Sequence, residues 1–212
     1  MASKIDLQAD DAPRDSEGKR GERRRAILDA AEDLFLEQGY GRVSLGAIVR
    51  RSGGSLATMY ELFGNKQGLL RAVVGRRREE GTDGLLDIPH GETPAETLRR
   101  YAHECHSLFT TPRMIALFRI VIGESLSHPE FGREFHEDMN SDAARQLADC
   151  FREWTTQGKA AIDDPEAAVQ LFFAMVMCDA PMKTMLGAVP NGFPCGQLEW
   201  RLEPFLHYFR IA

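Results

Sequence analysis

Apolar residues along this chain recur every three to four positions and nowhere alternate like a half-buried strand, so the pattern predicts an all-α protein. The first stripe, Ile27, Ala30, Ala31, Leu34 and Phe35, defines a helix from about Gly21 to Gln38 that Gly39 terminates. Two short helices follow. Ser44 is placed to N-cap the first, which carries Leu45, Ile48 and Val49 on one face and stops at Gly53. Ser55 is placed to cap the second, Leu56 to Phe63, with Met59 and Phe63 four apart and facing inward. Asn65 then opens a fourth helix that runs from Lys66 to about Glu80.

Gly81 to Gly91 reads as a linker. Thr93-Pro94-Ala95-Glu96 combines a capping box with proline at the first helical position, and its helix continues through Leu98, Tyr101, Ala102, Cys105 and Phe109 until Pro112. Residues 113–127 are apolar nearly all round, which predicts a helix central to a second domain. Beyond His128-Pro129 a long amphipathic helix reaches about Gly158. Asp164-Pro165 starts one helix from Pro165 to about Leu186, and a last helix covers roughly Cys195 to Ile211. These last two helices carry apolar residues on more than one face. They suit burial both in their own domain and against a second copy, although a wholly intramolecular core would also account for them.

The organising stretch is Val43 to Leu70. Two short helices set at a steep angle by a glycine-bearing turn, here Gly53-Gly54, form a helix-turn-helix unit. With Met59 and Phe63 inward, Ser55, Leu56, Ala57, Thr58 and Tyr60 point outward. Small, hydroxyl and aromatic residues suit close approach to a DNA groove, where hydroxyls reach bases or phosphates and Ala57 or the Thr58 methyl can touch a thymine methyl. The plainer alternative is an ordinary small helical hairpin.

This run resembles the DNA-binding signature of TetR/AcrR-type transcriptional regulators. Its elements stand here as Ser44, Ile48-Val49, Gly53-Gly54-Ser55 and the run Tyr60 to Leu69, and the likeness covers roughly residues 20 to 78. Gly54 replaces the usual turn valine, and Leu62 stands where histidine or tyrosine is common. Glu61 adds a negative charge that would repel a phosphate unless it points away or accepts from a cytosine amino group. The resemblance implies a homodimer, most often a repressor, whose last two helices form the interface. It also implies two recognition helices about 34 to 36 Å apart on a palindromic operator of double-stranded DNA. Around Arg119 to Phe135 the chain also looks like the AefR-type branch.

The chain of 212 residues is 43% hydrophobic and 27% charged, ordinary for a soluble globular protein, with no apolar run long enough to span a membrane. The first residues lack the apolar centre of a secretory signal, so the protein is expected in the cytoplasm. Cys105, Cys150, Cys178 and Cys195 are far apart, so reduced thiols rather than a disulfide framework are expected. The net charge of −6 hides an asymmetry: residues 19–78 hold 13 Lys/Arg against 6 Asp/Glu, whereas residues 79–212 hold 11 against 21. A basic end joined to an acidic one fits attraction to DNA through one end only. The organisation expected is a disordered arm over 1–18, a helix-turn-helix domain over 19–66 and a helical ligand-binding and dimerisation domain over 67–212, with 66–80 as linker helix.

Within the head, Lys19, Arg20, Arg23, Arg24 and Arg25 are placed to contact phosphates, with Arg24 the representative choice. Lys66 joins a positive charge to the open N–H groups of a helix start, a phosphate clamp, and the matching lysine plays that part in the resembling family. In the second domain Phe109, Phe118, Phe135, Phe172, Met175 and Met182 would line a pocket for an apolar or amphipathic small molecule, with Asp179 orienting it, although such residues also form ordinary cores. His103 and His106 share a helix face but lack a second ligand pair, so no metal and no cofactor are expected. Nothing resembles a phosphate loop or a nucleophile elbow, which argues against an enzyme. The remaining rivals are a DNA-binding regulator without an effector and, more remotely, an α-helical enzyme.

Overall fold

The computed structural model describes residues 12–82, 86, 92–177, 180–188 and 196–212; among them there is no strand. The helices are α1 (Ala12–Gln38), α2 (Leu45–Ser52), α3 (Leu56–Phe63), α4 (Lys66–Thr82), α5 (Pro94–Thr110), α6 (Pro112–Ser127), α7 (Pro129–Thr156), α8 (Pro165–Met177), α9 (Ala180–Met185) and α10 (Gly196–Tyr208). They divide into two compact units, Met1–Val73 and Val74–Ala212, with the break inside α4.

In the first unit the α1 stripe of Ile27, Leu28, Ala31, Leu34 and Phe35 is buried with Val43, Ile48, Met59, Phe63, Leu69 and Leu70. Gly39, at φ 82, ends α1 in a conformation closed to most side chains and hands over to a 3-10 turn at Tyr40–Arg42. The helix is described from Ala12, upstream of the expected Gly21, in the stretch expected to be disordered.

In the second unit a core forms where α5, α7, α8 and α10 meet: Leu98, Tyr101, Phe151, Trp154, Phe172, Leu202 and Phe205 are all at least 98% buried. Phe172 stacks on Tyr101 at 5.9 Å and meets Phe205 edge-on at 5.8 Å. This corrects the expectation that α6 is central: Met114, Ile115, Leu117 and Val121 are buried, but Ile122 and Leu126, nearer its C-terminal end, are exposed. The helix expected from Pro165 to Leu186 is described as Pro165–Met177 and Ala180–Met185, with 178–179 outside the described residues.

Very little chain joins α5 to α6 and α6 to α7. Thr111 donates its backbone N–H to Leu108 O at the end of α5, and its hydroxyl accepts from Met114 N at the start of α6. His128 does the same between α6 and α7 through its backbone, donating to Glu124 O and accepting from Gly132 N. The 81–91 linker falls almost wholly outside the described residues.

Candidate DNA interface

The geometry of the helix-turn-helix follows from four local devices. Ser44 Oγ accepts from Ala47 N at 3.1 Å and starts α2; Gly53, left-handed at φ 73, stops it. Ser55 Oγ accepts from Thr58 N at 3.1 Å and starts α3, and it lies 3.0 Å from the Thr58 hydroxyl. Asn65 Oδ1 accepts from Gly68 N at 2.7 Å and starts α4.

With Met59 and Phe63 as its buried side, α3 presents Ser55, Leu56, Ala57, Tyr60 and Glu61 to solvent, and Thr58 is half-buried. Leu56 and Tyr60 stay 46% and 55% exposed, an outward face of large side chains that the head's own core does not claim.

The basic residues of α1 have separate occupations. Arg24 lies over the Phe63 ring at 5.7 Å. Arg23 donates to Gly53 O at 2.7 Å and Ser52 O at 3.3 Å, holding the carbonyl end of α2 instead of standing clear for phosphate. Arg20 pairs with Glu61 at 3.1 Å. On α2, Arg51 ties back to α1 through Glu37 at 2.8 Å and Asp33 at 3.5 Å; the bond from Arg51 holds the Glu37 carboxyl below its usual range. Lys66, half-buried at the start of α4, donates to the Tyr40 carbonyl and sits 4.2 Å from the centre of the Tyr40 ring. The roles of Arg20 and Arg23 are long-range contacts that no sequence spacing signals.

Glycine 68 was also illegible as a site residue. A Cβ there would stand 2.1 Å from Phe63 O, so only glycine lets α4 leave α3 so tightly.

In the second unit the residues expected to line a pocket fall in an aromatic cluster and in the core beside it. Phe109, Phe118 and Phe135 meet, stacked at 5.8 Å and edge-on at 6.4 Å. Phe172 is in the middle of the core, Phe109 and Met175 both pack against that core, and Met182 is 54% exposed. Asp179 lies outside the described residues. A separate open cavity of about 690 Å³ runs between α7 and α8, with Ala148, Val169 and Phe173 among its apolar walls and Arg145, Arg152 and Glu166 among its polar ones. Its lining follows one helix face on each side, residues 145, 148, 149 and 152 of α7 and 166, 169, 170 and 173 of α8, but each face mixes polar and apolar side chains, so no apolar stripe marks it in the sequence.

His103 bonds Glu199 on α10, and together with Arg99, 2.7 Å away, holds that carboxyl below its usual range. His106 is buried, and burial lowers its pKa, with Arg201 and His103 acting in the same direction. Burial also pushes the Cys105 thiol up to about 12 and the Tyr101 phenol upward, so both remain protonated core groups. Among the described residues no group of three or more His, Cys, Asp or Glu side chains is arranged to hold a metal.

Residues 27–73 match the model for bacterial regulatory proteins of the tetR family, and residues 96–194 match the AefR-like transcriptional repressor C-terminal domain. The chain is 45% identical over 53 residues to the HTH-type transcriptional repressor ComR of Escherichia coli K12, 25% of each protein. It is 27% identical over 173 residues to the repressor BepR of Brucella suis, 77% of this chain and 81% of BepR. The match spans only 25% to 42% of the length of the first curated relatives. Among solved structures, one described as a TetR-family regulator from Mesorhizobium loti superposes with a TM-score of 0.73 at 23% identity, covering 90% of this chain and 98% of that one. The flavonoid-responsive regulator FrrA superposes with a TM-score of 0.66 at 28% identity, over 89% and 95%. Head, second domain and helix order thus agree, and the chain belongs to the tetR family of bacterial regulatory proteins, with a C-terminal domain of the AefR-like kind.

Proposed function

We propose that this protein is a DNA-binding transcriptional repressor, and not an enzyme, that acts as a cytoplasmic homodimer on a palindromic operator and is released by an apolar or amphipathic small molecule. The observation that carries the reading is α3: a capped helix seated on Met59 and Phe63 whose outward face, from Ser55 to Tyr60, has no use in the head's own core. In this reading Ser55, Leu56, Ala57, Thr58 and Tyr60 meet the major groove. Ser44, Arg24 and Lys66 meet phosphates, Lys66 from beside the Tyr40 ring. No helix among the described residues is long and apolar enough to cross a membrane.

The second copy docks on α8 and α10, where Leu171, Trp200 and Tyr208 are exposed large apolar groups on helices whose other side is core. The effector binds at the Phe109, Phe118 and Phe135 rings, and the flavonoid response named for FrrA makes planar aromatic compounds the first class to screen. Ligand and operator oppose each other because each favours a different separation of the two heads.

Fluorescence anisotropy on DNA from upstream of the protein's own gene, with unlabelled random DNA as competitor, tests the reading. Competitor-resistant binding to one palindromic fragment, with a steep salt slope, is expected. Binding no better than to random DNA across a library of genomic fragments would refute specific recognition.

A further inference from the structure

Glu61 is the one acidic residue of α3, and it follows Tyr60 on the outward side of the helix. Its carboxylate lies 3.1 Å from the guanidinium of Arg20 on α1, and both side chains are 65% exposed. Exposed pairs of this kind contribute little to folding. The join between α1 and the helix-turn-helix is already made by the buried core and by the bonds from Arg23 to Ser52 and Gly53. The pair therefore has little structural work to do. A carboxylate oxygen on a guanidinium does reproduce, in charge and geometry, what a phosphate oxygen would offer the same arginine.

We infer that Glu61 acts as a built-in phosphate mimic, holding Arg20 in the free protein and yielding it to the DNA backbone on binding. The inference rests on the DNA-binding reading above. Its consequence is a weaker electrostatic hold on DNA of any sequence, because the arginine must leave the carboxylate before it can take a phosphate.

The test uses the full chain and a labelled short duplex of random sequence, titrated by anisotropy between roughly 50 and 200 mM salt. Four variants are compared with the wild type: Glu61→Gln, Arg20→Gln, the double variant, and Glu130→Gln, which makes the same charge change on the exposed start of α7. Circular dichroism checks that each is folded. Glu61→Gln should bind the random duplex roughly two- to fivefold more tightly than wild type, beyond any gain in Glu130→Gln. Arg20→Gln should bind more weakly, with a salt slope shallower by about 0.9. The gain from Glu61→Gln should shrink in the Arg20→Gln background, which is the signature of coupling between the two. An equal gain in both backgrounds would reduce Glu61 to simple repulsion and overturn the inference. So would a loss of affinity in Glu61→Gln, which would make Glu61 a DNA contact in its own right. If the wild type binds no duplex even at low salt, the DNA-binding reading itself fails and this inference with it.

Discussion

The guanidinium of Arg23 lies 2.7 Å from the carbonyl oxygen of Gly53, the left-handed residue that ends α2. A side chain from the first helix thus closes the turn of the helix-turn-helix from outside it. Arg23→Ala should lower the stability of the head by about 1 kcal/mol, since a hydrogen bond to a charged group is worth more than a neutral one but an exposed site screens it. Thermal unfolding against Arg25→Ala checks this, because Arg25 is exposed and its loss removes charge from the same helix. Equal midpoints for the two variants would mean that the Arg23 bond contributes nothing.

Gly68 and Gly75 lie in the same helix and should respond oppositely to alanine. A Cβ at Gly68 meets Phe63 O at 2.1 Å, whereas one at Gly75 has nothing within 4 Å. Gly68→Ala should cost about 2 kcal/mol or more by forcing backbone apart, and Gly75→Ala should be neutral or stabilising by up to roughly 1 kcal/mol. Denaturant unfolding of both variants is the measurement.

Ser55→Asp separates the cap from the interface. Aspartate caps a helix as well as serine and suits the positive end of its dipole, so stability should hold, while Ser55→Ala should lose about 1 kcal/mol. If α3 meets DNA as proposed, Ser55→Asp should nevertheless bind any duplex several-fold more weakly than wild type, through repulsion of nearby phosphate. A Ser55→Asp variant with wild-type affinity would move the interface away from the start of α3.

His106 gives the fold a pH dependence of definite sign. Its pKa is lowered in the folded protein from 6.5, by burial first and then by Arg201 and His103. Below 6.5 the unfolded chain therefore takes up a proton that the folded one does not, so stability is complete above 6.5 and falls as pH drops through that value toward the folded pKa. Thermal midpoints measured from pH 8 to pH 5 should decline, and His106→Gln should flatten the decline above the range in which carboxylates titrate. An unchanged slope in that variant would assign the effect to another group.

Trp154 is fully buried and Trp200 is 76% exposed, which makes the proposed dimer readable by fluorescence. Trp200→Glu should shift sedimentation from dimer to monomer, and in Trp154→Phe the remaining emission should move to longer wavelength on dilution. Dimers that survive Trp200→Glu unchanged would place the interface elsewhere.

Much of this architecture was legible because its signals are local. Ser44, Ser55, Asn65, the Thr93–Glu96 capping box and the prolines at 94, 112, 129 and 165 each mark a helix start by chemistry within one turn. What escaped depends on distant partners. The sequence of α6 is apolar nearly all round, but how much of it is buried depends on where its neighbours lie, and Ile122 and Leu126 stay exposed although they share a face with the buried Ile115. Arg23 reads as one more cation in a basic run until the Gly53 carbonyl is seen beside it. Ring and sulfur content marks pocket walls and core alike: Phe109 stacks on Phe118 and also packs against the core that holds Phe172.

The single-residue joints at Thr111 and His128 leave α5, α6 and α7 without spare chain between them. A loop would absorb a push by changing its own shape; a residue that closes one helix and opens the next has no such slack. A molecule wedged among Phe109, Phe118 and Phe135, one ring on each of the three helices, must therefore move entire rods about two pins. The second domain is in this sense a lever train, in which displacement at the rings is conducted along helix axes and little is lost at the corners.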